Sequence, residues 1–275
     1  MSSDAREITR ASKSNLALAF VSMSGKRRRD ITTFYAFCRL VDDVADDNQR
    51  APDEKRRELA HWRRSLHESF ASEPAIAPAV RQLMSDYPIT PAMLEEIITG
   101  VEMDIEPRLY ATFEELRVYC YRVASAVGLV SIEIFGYRNA QCREFAVQLG
   151  LALQTTNIIR DVGRDLALGR VYLPQADMAK FDYSQRDLEN RTHDARFLAL
   201  MKCEAARAEE FYAAAKAALP RADRRAMLPA TIMASIYGAL LQRMKLDNFR
   251  VFEREYRLSK LEKAGRVTAQ LLKFH

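Results

Sequence analysis

Asp42 and Asp46 lie in YAFCRLVDDVADD, and Asp161 and Asp165 lie in LALQTTNIIRDVGRD. Both segments read as helix, where a spacing of four puts the two carboxylates of each pair on one face. Like charges one turn apart repel, so a purely structural helix has no reason to repeat the arrangement. A divalent cation removes the objection. Mg2+ takes a few carboxylates and leaves its other positions to phosphate oxygens. Two such faces opposed across a cleft would make a diphosphate clamp. Gln154 and Asn157 extend the second pair into one polar stripe, as Tyr35 and Arg39 extend the first. Arg39 and Arg160 stand beside the pairs, where a guanidinium can hold diphosphate oxygens and take up leaving-group charge.

Ser12, Lys13 and Ser14 form a small polar patch with donors for a second phosphate, and the same residues suit a helix cap with a solvated lysine. In YCYRVASAVGLVSIEIFGY, the residues Tyr119, Val123, Val127 and Val130 line one face, with Ala124, Ser125, Ala126 and Gly128 among them. A glycine inside a helix costs about 1 kcal/mol relative to alanine, so Gly128 implies a close crossing or room for a ligand. Beside a diphosphate clamp, an apolar tunnel for a hydrocarbon tail follows. Tyr119 and Tyr237 can present π-faces to a carbocation, or can simply pack. His61, His67, His193 and His275 have neither metal-ligand spacing nor a neighbouring nucleophile, and read as surface residues. No nucleophile elbow, phosphate-binding loop or dinucleotide fingerprint occurs.

These side chains need rigid elements. Apolar residues recur at spacings of three and four, and the alternation of strands is nearly absent, which predicts an all-α chain. Helices are expected at 4–22, 27–48, 53–71, 75–86, 91–104, 113–137, 140–168, 195–219 and 222–249. Thr90 with Pro91 reads as a cap and first helical residue, Thr112 with Glu115 as a capping box, and Gly136 and Gly169 as helix ends. With 275 residues, 48% of them hydrophobic, and no internal repeat or linker, one domain over 1–275 is expected, with a basic tail from about 253. No run of ~18 uninterrupted apolar residues offers a membrane span. The first residues lack the pattern of a secretory signal, and Cys38, Cys120, Cys142 and Cys203 are widely spaced, so a reducing cytoplasm with free thiols fits. Net charge is +5, with clusters at Lys26–Arg29 and in the tail that suit phosphates or anionic lipid headgroups. Basic residues interleave with acids and no recognised motif is present, so nucleic acid is not expected as a partner.

At SKS (12–14), YAFCRLVDDVAD (35–46), YCYRVASAVG (119–128), LALQTTNIIRDVGRD (151–165), GRVYLP (169–174) and IYGALLQRM (236–244), the chain resembles the squalene/phytoene synthase family. The pieces fall in the family's order over nearly the whole length. GVEMDIEPRLYATFEELRVYCYRVASAVGLVSIEIFGY looks most like the bacterial presqualene diphosphate synthases of hopanoid pathways. The resemblance implies an isoprenoid-synthase-type helical bundle around a central cavity. It implies two farnesyl diphosphates as substrates, with Asp42, Asp46, Asp161 and Asp165 binding Mg2+ and diphosphate. Residues matching Arg39, Gln154 and Asn157 assist, those matching Ser12, Ser14, Tyr237 and Arg254 hold diphosphate or shape its pocket, and Tyr119 matches a tyrosine implicated in the cation chemistry. The chain departs from the pattern twice. Arg164 stands where the second motif usually carries an acid, and Asn15 replaces a usual aromatic after SKS.

Other head-to-head outcomes stay open: squalene made with NADPH, dehydrosqualene, or phytoene from geranylgeranyl diphosphate. Released diphosphate and a tyrosine-held water are both candidate proton acceptors. Terpene cyclisation shares an Asp-rich helix, but NIIRDVGRD lacks the Asn, Ser and Glu of its second metal motif. A helical assembly protein for a lipid pathway is the non-enzymatic alternative. The tail, REYRLSKLEKAGRVTAQLLKFH, alternates basic and apolar residues, and suits either peripheral membrane contact, alongside other pathway enzymes, or a terminal helix packed on the domain.

Overall fold

The computed structural model describes Phe20, Met23 and residues 25–274; the helix expected at 4–22, with Ser12 and Ser14, lies outside them except for Phe20. No strand occurs among the described residues. In chain order the main helices are α1 (Gly25–Asp46), α2 (Pro52–His67), α3 (Ala77–Asp86), α4 (Pro91–Glu102) and α5 (Phe113–Cys120). A π-helical turn (Tyr121–Ser125) leads into α6 (Ala126–Phe135), then α7 (Gln141–Ala167), α8 (Gln175–Lys180), α9 (Gln185–Glu189), α10 (Ala195–Ala218), α11 (Leu228–Leu246) and α12 (Lys260–Leu271).

Most ends follow the expected punctuation. Thr90 Oγ1 accepts from the Met93 amide and Gly136 closes α6 at φ 80°. At Thr112 the cap forms, but the Glu115 carboxylate accepts from the Ala111 amide instead of returning to the cap residue. The element expected at 222–249 starts later, at Leu228, because Arg221–Asp223 makes a separate 3-10 turn and Pro229 fits only the first turn of a helix. Helices α8 and α9 are too short for a periodic signal, although Ser184 and Asp187 form a reciprocal capping box at the start of α9.

α7 is the axis of the bundle, packed against α10, α6, α11, α5 and the π-turn. Its approach to the π-turn is backbone-close. A Cβ added at Gly150 would lie 2.5 Å from Ser125 Cα, and one at Gly128 would lie 3.1 Å from the Ala146 carbonyl oxygen. Ser125 Oγ donates to the Val147 carbonyl at 2.8 Å across the same crossing. The glycines thus serve contact, and the inserted residue of the π-turn rotates the side chains that follow it.

One apolar cluster joins α1–α4, α6, α11 and the first half of α7; a second joins its later half to α8–α11. Between α6, α7 and α11 runs a narrow apolar cavity of about 110 Å³, with Gly128, Ala146 and Gly150 on its walls and the rings of Phe20, Phe135 and Phe145 around it. The segment Phe113–Phe135 is long and apolar enough to cross a membrane, but most of it is buried between the other helices, as suits a core element. The four cysteines are unpaired. The basic tail forms α12, capped by Ser259 and docked on α11, with Leu261 and Leu272 facing outward at 85% and 67% exposure.

Candidate active site

The last two turns of α1 carry Asp42 and Asp46, and the last third of α7 carries Asp161 and Asp165. One arginine ties the two regions together. Arg170, just past α7, donates Nη1 to Asp46 Oδ1 at 3.0 Å and Nη2 to the Asp104 carbonyl at 3.4 Å. Its own amide donates to the Asp165 carbonyl at 2.8 Å. Chain segments more than a hundred residues apart therefore meet around one guanidinium.

Each aspartate of the two pairs has an arginine partner. Arg39 Nη1 lies 3.3 Å from Asp42, and Arg160 grips Asp161 through Nε at 2.9 Å and Nη2 at 2.5 Å. Arg164 sits 3.4 Å from Asp161 and 3.9 Å from Asp165. Two carboxyls nonetheless hold protons unusually well. Partial burial, with half of the side chain still exposed, and repulsion from Asp46 raise Asp42 to about 6, against the pull of Arg39. Burial and repulsion from Asp161 raise Asp165 to about 7, against Arg164 and Arg170. Asp104 adds to the repulsion at both sites, so the two faces share one electrostatic field.

Asp104 was not among the residues singled out from sequence, nor were Arg170 and Tyr172. Asp104 Oδ2 accepts from Tyr119 Oη and Oδ1 from Tyr172 Oη, both at 2.8 Å. The two rings stack with centroids 5.1 Å apart. Burial, then the Asp104 charge, pushes both phenols well above the ordinary tyrosine range. Tyr119 accordingly does not wall the apolar cavity, as the helical register had implied; it packs with Tyr110, Leu116, Cys120, Leu151 and Ile158. A signal for Asp104 existed. It follows the apolar stripe of Ile97 and Val101 at helical spacing, in the turn just past the end of α4.

The remaining expected residues divide. Asn157 Nδ2 donates to Gln154 Oε1 at 3.3 Å, while Asn157 Oδ1 is buried without a partner. Tyr237 lies against Arg160, which burial would discharge but which Asp161, and then Tyr237, keep charged. Arg254 pairs with Asp247 at 3.1 Å, just after α11.

Among the described residues no three acidic, histidine or cysteine side chains converge into a ready-made metal cage. The donors nevertheless fit Mg2+. They are hard oxygens, the carboxylates within each pair repel one another, and an orphaned amide oxygen stands one turn before Asp161. Mg2+ commonly takes one or two carboxylates and completes its shell with water and substrate phosphate, so a closed cage is not required.

The squalene/phytoene synthase family model matches residues 9–262. A 15-cis-phytoene synthase from Synechocystis sp. is 35% identical over 263 residues, covering 90% of this chain and 78% of that protein. A presqualene diphosphate synthase from Zymomonas mobilis is 30% identical, covering 94% and 90%. The crystal structure of a dehydrosqualene synthase in complex with ligand superposes with TM-score 0.83 at 26% identity, over 98% of this chain and 96% of that one. A squalene synthase from Alicyclobacillus acidocaldarius gives 0.77 at 25% identity, over 89% and 93%. The chain belongs to the squalene/phytoene synthase family, prenyltransferases that join prenyl diphosphates head to head.

Proposed function

We propose that the protein condenses two farnesyl diphosphates into presqualene diphosphate, releasing diphosphate and a proton. One observation carries this reading: Arg170 binds the Asp46 carboxylate of α1 and its charge acts on Asp165 of α7, and α7 also walls an apolar cavity. Held by Asp42, Asp46, Asp161 and Asp165, Mg2+ would neutralise the diphosphate and stabilise it as a leaving group. Arg39 and Arg160, now on aspartates, can turn their guanidinium forks to diphosphate oxygens. Breaking the C1–O bond of the donor leaves an allylic cation. The double bond of the second molecule attacks it, and loss of a proton closes the cyclopropane.

Tyr172, beside Asp165 and Arg170, serves this sequence as the outer ring face, with Tyr119 stacked behind it and Asp104 holding both hydroxyls. Each Asp104 oxygen accepts from one of them, and released diphosphate or a water held at these hydroxyls takes the departing proton. The cavity walls keep water from the cation. The Zymomonas mobilis relative supports this product.

A second reading, coupling of geranylgeranyl diphosphate to phytoene, is favoured by the greater identity to the Synechocystis phytoene synthase. Product analysis separates the two. Purified protein is incubated with either substrate and Mg2+, with and without NADPH, beside a metal-free control. Presqualene diphosphate from farnesyl diphosphate, only with metal, supports the first reading; phytoene alone supports the second. Squalene on adding NADPH extends the reaction by a reductive step. No product from either substrate refutes both.

A further inference from the structure

The α7 pair carries a cation of its own. Arg164 sets Nη2 3.4 Å from Asp161 Oδ2 and Nε 3.9 Å from Asp165 Oδ1, bridging the carboxylates from the solvent side. On the α1 pair the cations are divided, with Arg39 on Asp42 and Asp43 and Arg170 on Asp46. Counting three residues on from Asp42, as Arg164 is from Asp161, gives Ala45, which is buried.

The two arginines on Asp161 also differ in how firmly they are held. Arg160 makes a two-point contact and is 21% exposed, whereas Arg164 is 64% exposed and its approaches are longer than good hydrogen bonds. An exposed pair of this kind is weak and its guanidinium can swing away at little cost. We infer that Arg164 is a displaceable counter-cation, seated across Asp161 and Asp165 in the substrate-free protein, which a divalent metal ion must displace to engage that pair. The inference rests on the reading of these aspartates as metal ligands. It makes metal binding at α7 weaker than the two carboxylates alone would give, and dependent on ionic strength.

The test is a Mn2+ titration of the full-length, substrate-free protein at low salt, following the free ion by electron paramagnetic resonance. Replacing Arg164 with Gln removes one positive charge beside the pair, which should tighten Mn2+ binding roughly three- to tenfold. Arg164→Lys keeps the charge and should stay within about twofold of wild type, and raising the salt should shrink the Gln effect as the Debye length falls. Unchanged or weaker binding in Arg164→Gln overturns the proposal. Asp161→Asn is titrated in parallel to identify the cause of a failure. If that change leaves Mn2+ affinity intact, the ion sits elsewhere and the metal-ligand reading itself has failed. If Asp161→Asn abolishes binding while Arg164→Gln has no effect, only the role of Arg164 is refuted.

Discussion

Asp104→Ala removes the single acceptor that two largely buried phenols share, Tyr119 Oη and Tyr172 Oη, each at 2.8 Å. A hydrogen bond to a charged partner contributes about 1.5–3 kcal/mol, so two lost bonds cost roughly 3–6 kcal/mol. Part of that is returned. Burial already raises the Asp104 carboxyl and Asp46 repels it, and removing such a charge relieves about 1–2 kcal/mol. The net expectation is a loss of about 2–4 kcal/mol. At about 2.1 cal/mol/K per residue, a chain of 275 residues has an unfolding entropy near 0.6 kcal/mol/K, so Tm should fall by roughly 3–7 °C.

Thermal unfolding followed by circular dichroism reads this directly, and a double-mutant cycle assigns it. Tyr119→Phe removes one of the two donors. In that background Asp104→Ala should cost less by about 1–2 kcal/mol, because one of its bonds is already gone. Turnover should fall further than stability does, since the stacked rings lose the anchor that sets their faces. A Tm within a degree of wild type, or strict additivity with Tyr119→Phe, would refute the idea that Asp104 holds the pair.

Asp42→Asn and Asp161→Asn should each lower turnover by roughly a thousandfold or more while the helical circular dichroism is kept, and near wild-type rates in both with Mg2+ present would sink the clamp. Gly150→Ala places a Cβ against the Ser125 backbone, which cannot yield as a side-chain tip can, so chemical denaturation should show a loss of about 2–4 kcal/mol; under 1 kcal/mol would mean that the crossing relaxes. Raised carboxyl pKa values at Asp42 and Asp165 mean that the fold binds more protons than the unfolded chain between about pH 4 and 7. Metal-free stability should therefore fall as pH rises through that window. Glu204, raised to about 7 by burial, acts in the same direction, so the slope must be compared with that of Asp165→Asn, and an identical slope would remove Asp165 as a cause. Outward Leu261 in α12 and Leu272 just after it, among basic residues, should carry the protein up with anionic liposomes in a flotation assay, and a Leu261→Glu variant that floats equally well would discount that face.

The Asp–x–x–x–Asp pairs were legible because their meaning is local. Four-residue spacing on a helix is a statement about one face, and a polar stripe on the apolar helix α7 must be satisfied by something not in bulk water. The same holds for Gly128, whose cost inside a helix announces a close neighbour without naming it. What stayed hidden is what the bundle brings together over long separations. Asp104 and Tyr172 are 68 residues apart, and Asp46 and Arg170 are 124 apart. No periodicity links such residues, because the register of each helix is set by its own core face and not by the partner it will meet. The π-turn adds a second kind of opacity. A strict period of 3.6 puts Tyr119 on one line with Val123 and Val127, but the extra residue in Tyr121–Ser125 breaks that line. Val127 reaches the apolar cavity, and Tyr119 turns to Asp104. A local insertion in one helix thus separates the surface suited to a hydrocarbon tail from the rings suited to a cation. The proposed chemistry depends on keeping those two surfaces adjacent but distinct.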